Sequence, residues 1–176
     1  MVKELIKIEE GIEVNIIGSK VEIKGKEGSV TREFRKNVKI IKEGDNIILE
    51  MKGESKRERR IIITTKKHIM NILRGVQKKF VYKLQICSVH FPITVTVDKT
   101  NRAIIIKNFL GEKKDRKTSI MPNADVKVEG DIVVVNSPDI EAAGQTAANI
   151  ETASRIRNRD RRIFQDGIWI IQKAEE

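Results

Sequence analysis

One unit of strand, glycine turn, strand and helix is written twice in this chain, and that repetition restricts the fold more than any other feature. In residues 38–51, VKIIKEGDNIILEM, the triplet Gly44-Asp45-Asn46 separates two isoleucine-rich runs. In residues 125–137, DVKVEGDIVVVNS, Glu129-Gly130-Asp131 does the same between valine-rich runs. Apolar residues alternating around a glycine-bearing turn are the signature of a hairpin. After each hairpin the apolar period changes from two to that of a helix. The first helix is expected from Thr65 as N-cap, with Ile69, Ile72, Leu73 and Val76 on its apolar face and Gly75 near its stop. The second is expected from Ser137-Pro138, with Ile140, Ala143, Ala147 and Ile150 as its stripe.

Upstream of each hairpin lie further β-like runs, IEVNIIGSKVEI and VTREF in the first half and FPITVTVD and RAIIIKNF in the second. The predicted class is therefore α+β, with two similar small domains, each an antiparallel sheet with a packed helix. The boundary falls near residue 80, giving an N-terminal repeat over 1–79 and a C-terminal repeat over 80–176. With 176 residues and 39% hydrophobic content, the chain is long enough for one ordinary domain or two small ones.

Charge narrows the function. Lys and Arg number 35 against 25 Asp and Glu, a formal net of +10, so a polyanion is the natural partner. Residues 1–80 carry 20 basic and 12 acidic groups, and residues 81–176 carry 15 and 13. Although the second half is nearly neutral, its cations are clustered at Lys107–Lys117 and Arg155–Arg162. The first cluster ends a strand, IIIKNFLGEKKDR, so a core strand leads directly into a cationic turn.

Enzymatic chemistry finds no support in the residues. Gly18-Ser19-Lys20 lacks the earlier glycine and the following helix of a phosphate loop. Cys87 and His90, three apart in an alternating strand, would point to opposite faces, so a core Cys and a packed or surface His are the expected roles. His68 has no acidic or Cys partner at metal-ligand spacing. A single Cys allows no internal disulfide. No metal, cofactor or small-molecule substrate is expected. With aromatics at 4%, a stacking platform for successive bases is not expected either, and binding through phosphates and shape fits better. No run reaches the about 18 apolar residues of a membrane span. The opening MVKELIKIEE carries charges where a signal peptide would be apolar, so the expected location is cytoplasmic.

Several blocks then carry a family resemblance in a fixed order: HIMNILRGVQKKFVYKL, SVHFPITV, KNFLGEKKDRKTS and SPDIEAAGQTAANIETASRIRNRDRRIFQDGIWI. They resemble the L-six family of large-subunit ribosomal proteins in its archaeal and eukaryotic form. DIEAAGQTAANIE and FQDGIW point to the archaeal one. The likeness runs from about His68 onward, and the first sixty residues agree mainly in pattern.

The resemblance implies two similar α+β domains and a structural role in the large ribosomal subunit. It also implies binding to large-subunit, 23S-type rRNA near the translation-factor-binding region, with neighbouring ribosomal proteins as further partners. On this reading the turn presents Lys107, Asn108, Gly111, Lys113, Lys114, Arg116 and Lys117 to RNA, and the run after the second helix presents Arg155, Arg157, Arg159, Arg161 and Arg162. Phe164 and Trp169 are expected to pack beneath that run, with Gly167 turning the chain. Lys56, Arg57, Arg59 and Arg60 are left open between RNA, a neighbouring protein and solvent. The alternative from another class is a free RNA-binding chaperone or assembly factor.

Overall fold

The computed structural model describes residues 2–53, 55–160 and 162–174. The chain divides into two compact units, one reaching to Lys79 and the other beginning at Phe80, each with its own apolar core.

In the first unit, β1 (Val2–Lys7), β6 (Asn46–Met51) and β5 (Lys39–Glu43) form one antiparallel sheet in that order. The strands β2 (Glu13–Ile17), β3 (Lys20–Gly25) and β4 (Gly28–Glu33) form a second. Helix α1 (Lys56–Gln77) packs on strands from both sheets. In β6 the side chains of Ile47, Leu49 and Met51 are buried while those between them are more exposed, the period-two pattern of a one-sided sheet.

The second unit repeats the plan. The strands β8 (Thr94–Asp98), β9 (Ala103–Lys107) and β10 (Arg116–Ser119) form one sheet. In the other, β11 (Asp125–Glu129), β12 (Ile132–Ser137) and β7 (Phe80–Cys87) are joined by β13 (Gly167–Gln172), which has no counterpart among the described residues of the first unit. Helix α2 (Ile140–Ala153) packs on β7, β10, β12 and β13. The two hairpin turns hold Gly44 and Gly130 at φ of 58° and 60°, a region open to glycine at little cost. Equivalent backbone bonds follow them: Ile8 N–H donates to the Asp45 carbonyl at 2.7 Å, and Ile86 N–H donates to the Asp131 carbonyl at 2.8 Å. The expected fold class holds, with each unit's strands shared between two sheets.

Four local expectations change. Helix α1 starts nine residues before Thr65, capped by Ser55, whose hydroxyl accepts from Glu58 N–H while the Glu58 carboxylate accepts from Ser55 N–H. Thr65 lies buried inside the helix, its hydroxyl donating to the Ile61 carbonyl at 2.9 Å, and Gly75 is a buried helical residue. The charged run KRERR hides the first turns because its side chains are largely exposed. At α2 the cap is Asp139, whose carboxylate accepts from Glu141 N–H. Ser137 sits two residues earlier, its hydroxyl donating to the Asn123 carbonyl and accepting from Asp139 N–H. Gly167 does not turn the chain but begins β13, where the Trp169 indole lies against it; a Cβ there would come within 3.1 Å of the ring. Strand β1 is an addition to the elements read from sequence. Among the described residues no helix is long and apolar enough to cross a membrane.

Candidate nucleic-acid interface

The cationic turn between β9 and β10 is held by backbone geometry that few sequences adopt. Asn108, Leu110 and Gly111 have φ of 55°, 50° and 74°. Asn and Gly enter the left-handed region readily; a leucine there costs roughly 1–2 kcal/mol. Burial of the Leu110 and Phe109 side chains opposes that cost, anchoring the turn in the core. The Asn108 amide donates to the Pro92 carbonyl at 3.0 Å, and Phe91 lies against Gly111. Thus Asn108 and Gly111, both expected as contact residues, are placed as shapers of the turn. Lys107, Lys113, Lys114 and Lys117 are exposed.

Arg116 does something different from the expected display to phosphate. Its Nε and Nη2 donate to the two Glu112 carboxylate oxygens at 2.8 and 2.6 Å. Nη1 donates to the carbonyls of Ala153 and Arg155, both at 2.9 Å, and the guanidinium lies 4.0 Å from the Phe109 ring centroid. These contacts use most of the fork and tie the turn to the end of α2, where the arginine run begins. Hydrogen bonds from Arg116, opposed by a smaller burial effect and aided by the charges of Arg116 and Arg159, hold the Glu112 carboxyl below its ordinary value.

Within the run, Arg155, Arg157, Arg159 and Arg162 are exposed, while Ile156 between them is buried and fixes the backbone. Arg162 pairs with Asp160 at 3.1 Å at the surface, a contact of little energetic weight. Arg159 lies over the Phe164 ring at 4.9 Å. Arg161 lies outside the described residues. Lys56, Arg57, Arg59 and Arg60 occupy the first turns of α1, in the other unit.

The loop 88–93 lies between these two basic segments, and sequence reading missed its fastening. Asp166, whose side chain is wholly buried, accepts from the N–H groups of Val89 and His90 at 2.8 and 3.0 Å, and pairs with His90 Nδ1 at 2.6 Å. His90 also packs on Phe164, with ring centroids 4.9 Å apart. Burial pushes the Asp166 carboxyl up, but the His90 and Val89 bonds and the His90 charge outweigh it, leaving the pKa below the ordinary value. His90 is therefore beyond the end of β7, not on it, and Cys87, at the strand's end, is only half-buried. Among the described residues no group of three or more His, Cys, Asp or Glu is placed to hold a metal ion. The geometry joins a turn, a loop and a tail into one cation-bearing surface supported by a buried carboxylate.

The family profile described as "Ribosomal protein L6" matches residues 8–79 and 91–167. The chain belongs to the ribosomal protein L6 family. One matched segment falls within each structural unit. Among curated relatives, the large ribosomal subunit protein uL6 of Staphylothermus marinus is 45% identical over 98% of this chain and 95% of the relative. The uL6 proteins of Desulfurococcus amylolyticus and Methanobrevibacter smithii are each 42% identical, over 99% and 98% of this chain and 96% of each relative. The archaeal likeness read from DIEAAGQTAANIE and FQDGIW agrees with these L6 relatives.

Proposed function

We propose that this chain is a structural constituent of the large ribosomal subunit, acting by binding large-subunit rRNA. Proteins of this family are structural, not enzymes. The observation that carries the proposal is the full-length likeness to uL6 proteins, and the cationic surface of the second unit supplies the means. Lys107, Lys113, Lys114 and Lys117 stand on a turn whose backbone is fixed by folding. Arg155, Arg157 and Arg159 start from a chain end pinned by Arg116. Cations set in place beforehand lose little conformational entropy when phosphates arrive. Neighbouring ribosomal proteins are the second class of partner, and the translation-factor-binding region is the place the family resemblance implies.

Two measurements test this. In high-salt gradients the protein should co-sediment with large subunits; recovery only in the free fraction would favour a chaperone or assembly factor. Binding of purified protein to protein-free large-subunit rRNA should weaken linearly in log affinity against log salt, by roughly 0.7–0.9 per phosphate neutralised. A slope near zero would remove the cationic surface from the binding account.

A further inference from the structure

An open pocket of about 430 Å³ lies beside the arginine run, lined by Cys87, Val89, Phe164, Gln165 and Trp169. Its size falls within the roughly 300–1,000 Å³ range typical of small organic ligands. Two of its walls are aromatic in a chain with only 4% aromatics. The pocket is built by the core: β7 brings Cys87, β13 brings Trp169 over Gly167, and Asp166 fixes the backbone of Val89. The Val89 side chain nevertheless stays 72% exposed, so this apolar wall faces outward. At the rim, the Arg159 guanidinium lies 4.9 Å from the Phe164 ring centroid, which sets a cation beside the pocket.

We propose that this pocket receives a single unstacked nucleobase of the bound RNA, while Arg159 and its neighbours hold the adjoining phosphates. The inference rests on the rRNA-binding reading above and adds to it a base contact that phosphate binding lacks. An apolar, aromatic-walled pocket suits the flat face of a base, and the exposed Gln165 amide offers both a donor and an acceptor to the base edge. A row of stacking aromatics, absent from this chain, is needed for successive bases but not for one. Charge complementarity selects RNA over an apolar side chain of a protein: the rim carries Arg159, with the rest of the arginine run adjoining it in sequence, and a peptide with that charge match would have to be acidic as well as apolar.

The chain's single tryptophan and single cysteine both line the pocket, which makes the test direct. Full-length protein is titrated with protein-free large-subunit rRNA from Staphylothermus marinus, following Trp169 emission and the rate of Cys87 alkylation by a neutral maleimide. RNA should quench Trp169 and slow alkylation about tenfold, and Gln165→Ala should weaken binding about threefold to tenfold with an unchanged thermal midpoint. Polyphosphate, which has the charge but no bases, should compete for the cations yet leave both signals unchanged. Salt-dependent RNA binding with unaltered Trp169 and Cys87 would overturn the pocket assignment while leaving the phosphate reading intact. Equal responses to polyphosphate would overturn it too, as would protection that appears only once large-subunit proteins are added. Absence of any salt-dependent RNA binding would sink the underlying reading, and the pocket with it.

Discussion

Replacing Arg116 with Lys separates a positioning role from a phosphate contact, because the charge stays and the fork is lost. In the structure the guanidinium serves Glu112, the carbonyls of Ala153 and Arg155, and the Phe109 ring. The Glu112 pair is 41% exposed on the carboxylate side and counts for about 0.5 kcal/mol after screening. The ring contact adds about 0.5–1 kcal/mol. The two carbonyl bonds, made by a charged donor at a partly buried site, contribute about 1 kcal/mol each, below the usual range for charged donors because water can reach one of them. Arg116→Ala should therefore cost about 3 kcal/mol, and Arg116→Lys, whose ammonium can still reach one acceptor, about 1–2 kcal/mol. For a unit of this size each kcal/mol shifts the midpoint by about 4–8 °C. Trp169 fluorescence reports the second unit alone, since it is the only tryptophan. The expected result for Arg116→Lys is a lower melting midpoint and weaker RNA binding with the salt slope unchanged. A midpoint that does not move, joined to an Arg116→Ala salt slope smaller by about one phosphate, would make Arg116 a direct contact and refute the pinning argument.

Other outcomes follow from single contacts. Gly25→Ala sets a Cβ 2.8 Å from both the Val76 carbonyl and its Cγ2, so the β3–β4 turn must lift from the end of α1; the first unit should lose about 1–3 kcal/mol in denaturant titration. The Asp166 carboxyl has a depressed folded-state pKa, so its stabilising contribution is present above the unfolded value, near 4, and is lost as pH falls through the folded value. Melts of the second unit should fall in that acid window, whereas Asp166→Asn should start lower by about 2 kcal/mol and lack that part of the pH dependence. A fragment of residues 80–176 should unfold cooperatively on its own, and a gradual, non-cooperative melt would count against independent units.

How far these features were legible depended on whether the signal was local. The hairpins at Gly44 and Gly130 could be read because strand alternation and turn chemistry lie within a few residues of each other. The start of α1 carried a local signal too, the Ser55-x-x-Glu58 capping box, but the charged first turns concealed it under a rule that looks for apolar period. Strand β1 was hidden for a related reason: only Ile6 along it is buried. The clustering of cations was visible, but the work assigned to individual side chains was not. Arg116 and Arg157 look alike in sequence, and what separates them is a contact 37 residues away, to the Ala153 carbonyl. Asp166 is the same case, since its partners Val89 and His90 are 77 and 76 residues distant.

Aligning the repeats by topology shows where the two units part. The β1–β6–β5 sheet corresponds to β7–β12–β11, and β2–β3–β4 to β8–β9–β10. Between β3 and β4 the first unit has only Lys26 and Glu27; between β9 and β10 the second has the whole turn from Asn108 to Asp115. After α1 the chain enters β7 almost at once, whereas after α2 it runs through the arginine segment before returning as β13. These two additions are distant in sequence, yet Arg116 bonds one to the other, and Asp166 secures the loop between them. The first unit closes its core without either, whereas in the second unit both are tied into the core, through Phe109 and Leu110 in the turn and Ile156 in the arginine segment. On the proposed rRNA-binding reading these added segments carry the contact surface, and Arg116 and Asp166, which join them, are the residues whose loss should disturb that surface while leaving most of its cations in place.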